Sequence, residues 1–211
     1  MEVEIQTEEK KNTMIVKAKY DQVCYELKSR YDNKSKHFQI RANSIHEFLT
    51  KIAPKGAKSL IGFTEYDIFI DDSDLFVAGL CNGLLRVGVF SIFRYMPRLK
   101  FCEEKWYEYT IPQNFDHKTW LKRSCKLMIH ETCHLLGFAH CVYKDCCMNG
   151  SGHLKEDFRQ SMFLCPIDLK KLWLILNFDM KKRYELLKQF FDERKCSKES
   201  RWLGKVVKTL E

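Results

Sequence analysis

The sequence predicts an α+β fold, with a strand-rich first half and a helical second half. Residues 13–93 contain short runs of apolar and β-branched side chains separated by turn-forming residues, a pattern typical of strands. From residue 117 onward the segments are longer and have the pattern of helices. The chain has 211 residues, of which 45% are hydrophobic, so it can bury the core of one such domain.

Six segments of the first half have strand-like composition. They are 14–18, 37–40, 59–63, 66–70, 75–80 and 84–93. Turn signals at residues 71–74 and at Asn82-Gly83 separate the last three of them. A short helix is predicted to begin at Asn43 or Ser44, since either side chain could cap it.

The second half predicts three helices. The first extends from about His117 to Leu136. The next two cover about 167–176 and 180–194, and residues 177–179 divide them. The order of strands and then helices is that of one α+β domain.

The ends and the charge of the chain limit its partners. A polar leader at 1–12, too charged for a secretory signal, precedes a folded domain at 13–195 and a basic tail at 196–211. The apolar run Leu172–Phe178 is far too short to cross a bilayer. The net charge is +8, but the basic residues are not interleaved with aromatic ones as in a protein that binds single-stranded nucleic acid. We therefore expect a soluble, cytoplasmic or nuclear monomer, with neither nucleic acid nor a membrane as partner.

One stretch of the predicted long helix carries the candidate chemistry. His130 and His134 stand four residues apart, so both imidazoles project from one helix face and can bind one zinc ion. Glu131 lies one step around the helix, where it can take a proton from an attacking water and pass it to a leaving amine. Gly137 can end the helix in a left-handed turn, which brings His140 back as a third ligand. A fourth position left to water is typical of catalytic zinc.

Ten cysteines are many for a compartment in which disulfides seldom persist. Five of them lie between residues 133 and 165, and metal binding explains part of this group better than buried thiols do. Cys141 follows the last histidine directly, Cys146 and Met148 come shortly after it, and Cys165 lies farther along.

Together, the histidine motif and these residues closely resemble the pattern of the archaemetzincins, which are zinc peptidases of the metzincin type. The resemblance covers residues 13–195 and extends to three upstream segments, Tyr31-Asp32, Ile61-Gly62-Phe63-Thr64 and Val87–Tyr95. It implies a zincin-like fold, in which a small mixed sheet and an active-site helix are followed by a C-terminal helical part. It also implies a peptide or protein substrate.

The resemblance further implies two zinc ions. The ligands of the catalytic ion would be His130, His134 and His140. The ligands of the structural ion would be Cys141, Cys146, Cys165 and the residue at position 168. Glu131 would be the general base, and Met148 would form the floor beneath the catalytic metal.

The last cysteine of the family pattern is Asp168 in this sequence. A carboxylate oxygen can bind zinc, so a site of three thiolates and one carboxylate is one alternative. In a second alternative Cys147 replaces it, although a ligand directly beside Cys146 needs an awkward geometry. In a third alternative no metal binds and the three thiols are simply buried.

Two other segments can each be interpreted in two ways. By resemblance, Val87–Phe93 is the edge strand to which a peptide substrate adds, and the alternative is an interior strand. Glu156 and Asp157 are expected in a solvated loop, and the alternative is a contact with a basic substrate terminus.

The sequence thus predicts a zinc-dependent metallopeptidase, for which the resemblance favours aminopeptidase-like cleavage. The alternative is a catalytically impaired relative that binds zinc but has a degenerate structural site. Asp168 favours that alternative, whereas the complete set of histidines and Glu131 favours the enzyme.

Overall fold

The structure is a computed structural model that describes residues 4–10, 13–97, 99–102, 109, 110, 114 and 116–210. The strands are β1 (Glu4–Lys10), β2 (Thr13–Tyr20), β3 (Val23–Leu27), β4 (Ser29–Asp32), β5 (His37–Arg41), β6 (Leu60–Thr64), β7 (Asp67–Phe69), β8 (Gly79–Asn82), β9 (Val87–Ser91), β10 (Lys100–Phe101) and β11 (Tyr109–Thr110). The helices are α1 (Ala42–Ile52), α2 (His117–Leu135), α3 (Leu154–Arg159), α4 (Pro166–Leu176), α5 (Met180–Glu193) and α6 (Ser197–Thr209), and a 3₁₀ turn covers Phe93–Tyr95.

The strands form small sheets. β1, β2 and β3 pair antiparallel in that order, and β10 pairs with β11. β5 lies between β4, which is antiparallel to it, and β7, which is parallel. β9 lies between β6, which is parallel to it, and β8, which is antiparallel. The predicted α+β fold with small mixed sheets is confirmed.

Strand β9 is an interior strand, so the expectation that Val87–Phe93 forms the edge is wrong. Both of its sides are hydrogen-bonded to neighbouring strands, and all five of its residues are buried. The edges of this sheet are β6 and β8, and residues 76–78, just before β8, line the candidate site.

Helix α1 packs against the strands through an apolar face. The buried residues of this face are Phe48, Leu49 and Ile52. The N-cap is Arg41, and neither Asn43 nor Ser44 caps the helix as predicted. Ser44 Oγ donates instead to the Arg41 carbonyl and accepts from the backbone N–H of Lys28. This hydroxyl therefore ties the helix to the chain that enters β4.

A buried ion pair connects β7 to the 3₁₀ turn after β9. Asp67 and Arg94 are 1% and 2% exposed, and Arg94 Nη2 donates to Asp67 Oδ2 at 2.6 Å. His37 Nε2 and Gln39 Nε2, both on β5, lie 2.9 and 2.8 Å from the same oxygen. Burial opposes ionisation of Asp67, but the hydrogen bonds from His37 and Arg94 outweigh it and lower the pKa of this carboxyl. The network joins two sheets behind the candidate site.

The two ends of the chain differ from the expected leader and tail. Residues 4–10 form β1, which pairs with β2 along its whole length. Residues 197–209 form α6, which packs on α5 and buries Leu203 completely. The basic residues of this segment obscured its amphipathic pattern, because they occupy the exposed side of the helix. The folded part of the chain therefore extends beyond residue 195.

Helices α4 and α5 are divided where the sequence predicts. Asn177 has a φ of 48°, a left-handed conformation typical of the residue that ends a helix. The Asp179 side chain accepts from the backbone N–H of Lys182 at 2.8 Å and thereby caps α5. Across the part of the chain that the structure describes, no helix combines the length and the apolar character needed to cross a membrane.

Candidate active site

Helix α2 carries two of the candidate ligands. Asp116 caps the helix by accepting from the backbone N–H groups of Lys118 and Thr119. His130 and His134 lie four residues apart on it, with their Nε2 atoms 3.0 Å apart and their ring centroids 4.6 Å apart. The structure thus brings together the two histidines that helical spacing places on one face.

Main-chain carbonyls orient both imidazoles. His130 Nδ1 lies 2.8 Å from the carbonyl oxygen of Cys147, and His134 Nδ1 lies 2.8 Å from that of Phe138. Because a carbonyl oxygen only accepts, each Nδ1 carries the proton and each Nε2 keeps a free lone pair. Two lone pairs 3.0 Å apart repel each other unless a cation binds both. The tautomers and the spacing are therefore those of metal ligands.

Gly137 provides the turn that returns His140 to the other two histidines. It has a φ of 90°, which an L-residue with a side chain adopts only with strain. The His140 ring centroid lies 4.9 Å from that of His134 and 5.3 Å from that of His130. One ligand atom of each histidine lies within 4.8 Å of the other two. Three convergent imidazoles are a donor set that fits zinc.

Gly150 packs against His140, a contact that the sequence analysis missed. A Cβ at this position would lie 3.0 Å from His140 Nδ1. We expect Gly150→Ala to displace the ring and to weaken zinc binding at the histidine site about tenfold. Gly152→Ala is the matched control, because its Cβ would meet nothing closer than 3.6 Å. Competition with a chelating dye measures both affinities, and equal values for the two variants would contradict the role of Gly150.

Glu131 lines a cleft of about 380 Å³ together with the three histidines. Burial, and after it the negative charge of Asp157, raise the pKa of the Glu131 carboxyl to about 7. A bound dication in the same cleft would act in the opposite direction and lower this pKa. The carboxyl is thus partly buried in the same cleft as the three imidazoles, with a pKa suited to a group that moves a proton.

Two walls of the cleft come from segments outside the histidine motif. One wall is formed by residues 76–78 and the other by α3 with the loop before it. Asp157, on α3, accepts hydrogen bonds from the Tyr95 hydroxyl at 2.8 Å and from Ser151 Oγ. The expectation of a loop is wrong, because both Glu156 and Asp157 are in α3. Glu156 is exposed to solvent as expected, whereas Asp157 faces the cleft.

Lys126 and Asn149 support the site through hydrogen bonds to backbone groups, Lys126 at α3 and Asn149 in the loop after His140. Lys126 is 8% exposed, and its Nζ donates to three carbonyls at the end of α3, those of residues 157, 158 and 160. Asn149 Nδ2 donates to the carbonyls of Cys141 and Lys144, and its Oδ1 accepts from the N–H of Cys146. The only sequence signal for Lys126 was its position one helical turn before His130, on the same face.

A second cluster is formed by Cys141, Cys146, Cys165 and Asp168. All four residues are buried, and one ligand atom of each lies within 4.8 Å of the others. The Sγ atoms of Cys141 and Cys165 are 3.8 Å apart, and Asp168 Oδ2 lies 3.2 Å from Cys146 Sγ. The backbone N–H of Cys165 donates to Cys146 Sγ, and that of Asp168 donates to Cys165 Sγ. Three sulfurs and one oxygen, with amide donors to the sulfurs, also fit zinc.

Cys147 does not join this cluster, which leaves Asp168 as the fourth group. The Cys147 Sγ lies 3.5 Å from the carbonyl oxygen of Lys126, and burial raises the pKa of the thiol to about 12. Met148 is fully buried in the apolar cluster around Phe138 and Leu164. Its carbonyl accepts from the N–H of Cys141 at 2.7 Å, so it supports the loop that follows His140.

Known proteins share both the sequence pattern and the fold. The model of peptidase family M54 matches residues 30–173, more than half of the chain. Archaemetzincin-2 of Homo sapiens is 34% identical over 180 residues, which are 78% of this chain and 49% of that protein. Archaemetzincin-1 of Homo sapiens is 29% identical over 177 residues, or 75% of this chain and 35% of that protein. The chain therefore spans about half the length of the archaemetzincin-2 relatives that it matches.

A solved archaemetzincin from Methanopyrus kandleri has the same fold. It superposes with a TM-score of 0.50 and 24% identity, over 70% of this chain and 71% of that one. The solved structure agrees with the zincin-like order of sheets and helices. The chain belongs to peptidase family M54, the family of the archaemetzincins.

Proposed function

We propose that this chain is a zinc-dependent metallopeptidase that cleaves peptide bonds in the cleft between residues 76–78 and α3. The observation that carries this proposal is the convergence of His130, His134 and His140 beside Glu131 in one cleft. Membership of family M54 agrees with it, while the chain spans only about half of its archaemetzincin-2 relatives.

The residues of the cleft have different roles in hydrolysis. His130, His134 and His140 would hold a zinc ion, which when bound polarises the scissile carbonyl and acidifies the attacking water. The Glu131 carboxylate accepts the proton of that water and then delivers it to the leaving amine. Burial raises the pKa of the Glu131 carboxyl to about 7, near the value at which a group can both accept and release a proton.

Aminopeptidase-like cleavage is the form of this activity that we favour. The Asp157 carboxylate lines the same cleft as Glu131, and the two are close enough for Asp157 to raise the pKa of Glu131. Two carboxylates attract the ammonium of a free amino terminus more strongly than the neutral amide of an internal residue. Free amino termini are therefore expected to be cleaved in preference to acetylated ones.

A second, structural zinc is also part of the proposal. Cys141, Cys146, Cys165 and Asp168 form the buried cluster that would hold it. Cys141 is the residue after His140, and Cys165 is the N-cap of α4, so a metal shared by them would fix the third histidine to the C-terminal helices. All ten cysteines are free thiols, which agrees with the reducing conditions of the cytoplasm or nucleus.

Removal of the metal tests the proposed activity. Unstructured peptides with free and with acetylated amino termini are incubated with the zinc-loaded chain. We expect 1,10-phenanthroline to abolish hydrolysis and added zinc to restore it, because the histidines alone do not activate water. The isomer 1,7-phenanthroline, which cannot chelate, is the matched control and is expected to leave the rate unchanged.

Three outcomes separate the alternatives. Hydrolysis that survives chelation would contradict a metallopeptidase. Zinc binding without hydrolysis of any peptide would indicate the catalytically impaired relative. Equal cleavage of free and acetylated peptides would contradict the aminopeptidase preference but not the peptidase activity.

A further inference from the structure

Lys171 contacts Asp168, the acidic residue that stands where the archaemetzincin pattern has its last cysteine. Asp168 is 1% exposed, and Lys171 Nζ donates to its Oδ1 at 2.8 Å. The Lys171 side chain is 53% exposed, so it reaches the carboxylate from the solvent side of α4. An exposed lysine thus holds one edge of a fully buried carboxylate.

The two oxygens of Asp168 have different partners. Oδ2 lies 3.2 Å from Cys146 Sγ and 3.6 Å from Cys165 Sγ, and therefore points into the thiol cluster. Oδ1 instead accepts from Lys171 Nζ. A carboxylate can bind a metal through one oxygen or through both. With Oδ1 engaged by an ammonium group, only Oδ2 is available to a metal among the sulfurs.

Charge gives Lys171 a second effect. Three thiolates and one carboxylate carry about two charges more than a dication neutralises, and the whole cluster is buried. The backbone N–H groups of Cys165 and Asp168 reduce the excess negative charge only partly. The Lys171 ammonium is a full positive charge in direct contact with a ligand, where it opposes the mutual repulsion of the four groups.

We infer that Lys171 is the positioning residue of the second metal site, which holds Asp168 as a one-oxygen ligand beside Cys141, Cys146 and Cys165. The inference rests on the second metal of the proposed function. It makes the site one of three sulfurs and one oxygen, in which a lysine and a carboxylate together replace a fourth thiolate.

Cobalt(II) absorption reads this site without any peptide substrate. Thiolates bound to cobalt(II) give an intense charge-transfer band that histidine ligands do not give, so the band reports the cysteine cluster alone. We expect Lys171→Met to weaken cobalt and zinc affinity at this cluster about 10- to 100-fold. Lys171→Arg retains a charged donor and is expected to lose much less.

Lys170→Met is the matched control for the loss of a neighbouring charge. Lys170 precedes Lys171 on α4, but its Nζ lies 3.7 Å from the centre of the Trp173 ring. We expect this variant to bind metal as the natural chain does. If Lys170→Met weakens the band as much as Lys171→Met does, the positioning role of Lys171 is wrong.

A cysteine at position 168 separates positioning from general electrostatics. Asp168→Cys is expected to raise the thiolate band by about a third, since four thiolates replace three. In that background Lys171→Met removes a nearby positive charge but no longer releases a carboxylate, and we expect a clearly smaller loss of affinity than in the natural chain. An equal loss in both backgrounds would overturn the inference, as would an unchanged band in Asp168→Cys. A chain that cleaves peptides but shows no thiolate band would overturn the inference and the second zinc, and would leave the proposed peptidase activity intact. A band without hydrolysis would contradict the peptidase activity and leave the inference intact.

Discussion

Glu131→Gln is expected to lower kcat for peptide hydrolysis by about 10²- to 10⁴-fold, the usual contribution of a general base. Glutamine has nearly the same shape as glutamate but cannot accept the proton of the attacking water. His130 and His134 keep their hydrogen bonds in this variant, because their partners are the Cys147 and Phe138 carbonyls and not the side chain of residue 131. Zinc content should therefore stay the same while turnover is lost.

The control for Glu131→Gln is the same substitution at a glutamate outside the cleft. Glu156 lies on the neighbouring helix α3, is exposed, and accepts from the Gly152 N–H at 2.7 Å, a bond that glutamine can also make. Glu156→Gln is expected to retain full activity. Elemental analysis of bound zinc accompanies steady-state kinetics for both variants. Full activity in Glu131→Gln would exclude its role as the base, and a loss of zinc would reassign it to metal binding.

The histidine cluster could be predicted from sequence because its geometry is local. Four residues of helix set the spacing of His130 and His134, and a glycine that accepts a positive φ is needed to return His140 within three residues. These two elements bring the three rings together, at centroid distances of 4.6–5.3 Å. The orientation of the rings also depends on the Cys147 and Phe138 carbonyls, which the motif does not specify.

The cysteine cluster could be predicted only in part, because its residues are far apart in the sequence. Cys165 and Asp168 come from α4, and their approach to Cys141 depends on how that helix packs, so only a family pattern could suggest the set. The choice between Asp168 and Cys147 needed side-chain directions. Cys147 points to the Lys126 carbonyl, while Asp168 Oδ2 points to Cys146 Sγ.

The groups that support both sites could not be predicted. Gly150 contacts a ring, and Lys126 and Asn149 bond to main-chain groups; no sequence pattern indicates such contacts.

The order of the strands in the sheets could not be predicted either. The apolar run at 84–93 indicates a buried strand, but composition does not tell on which sides it is paired. Pairing with both β6 and β8 is a property of the whole sheet.

The buried pair of Asp67 and Arg94 gives the largest expected effect on stability. Arg94→Met is expected to lower the free energy of unfolding by about 3–5 kcal/mol, because it leaves a buried carboxylate without its main partner. The loss should also reach the cleft, since Tyr95, which follows Arg94 directly, donates to Asp157. Urea denaturation at a fixed zinc concentration measures the change, because bound metal adds to stability.

The double variant Asp67→Asn/Arg94→Met tests the cause of this loss. Asparagine keeps an oxygen that can accept from His37 and Gln39, and no unpaired charge remains buried, so the double variant is expected to be more stable than Arg94→Met alone. Lys188→Met is the control for a surface pair: Lys188 and Asp192 are about half exposed, and its removal should cost at most about 0.5 kcal/mol. If the double variant is instead the less stable of the two, the lost packing of Arg94 and not its charge accounts for the effect, because only the charge is compensated by the second change.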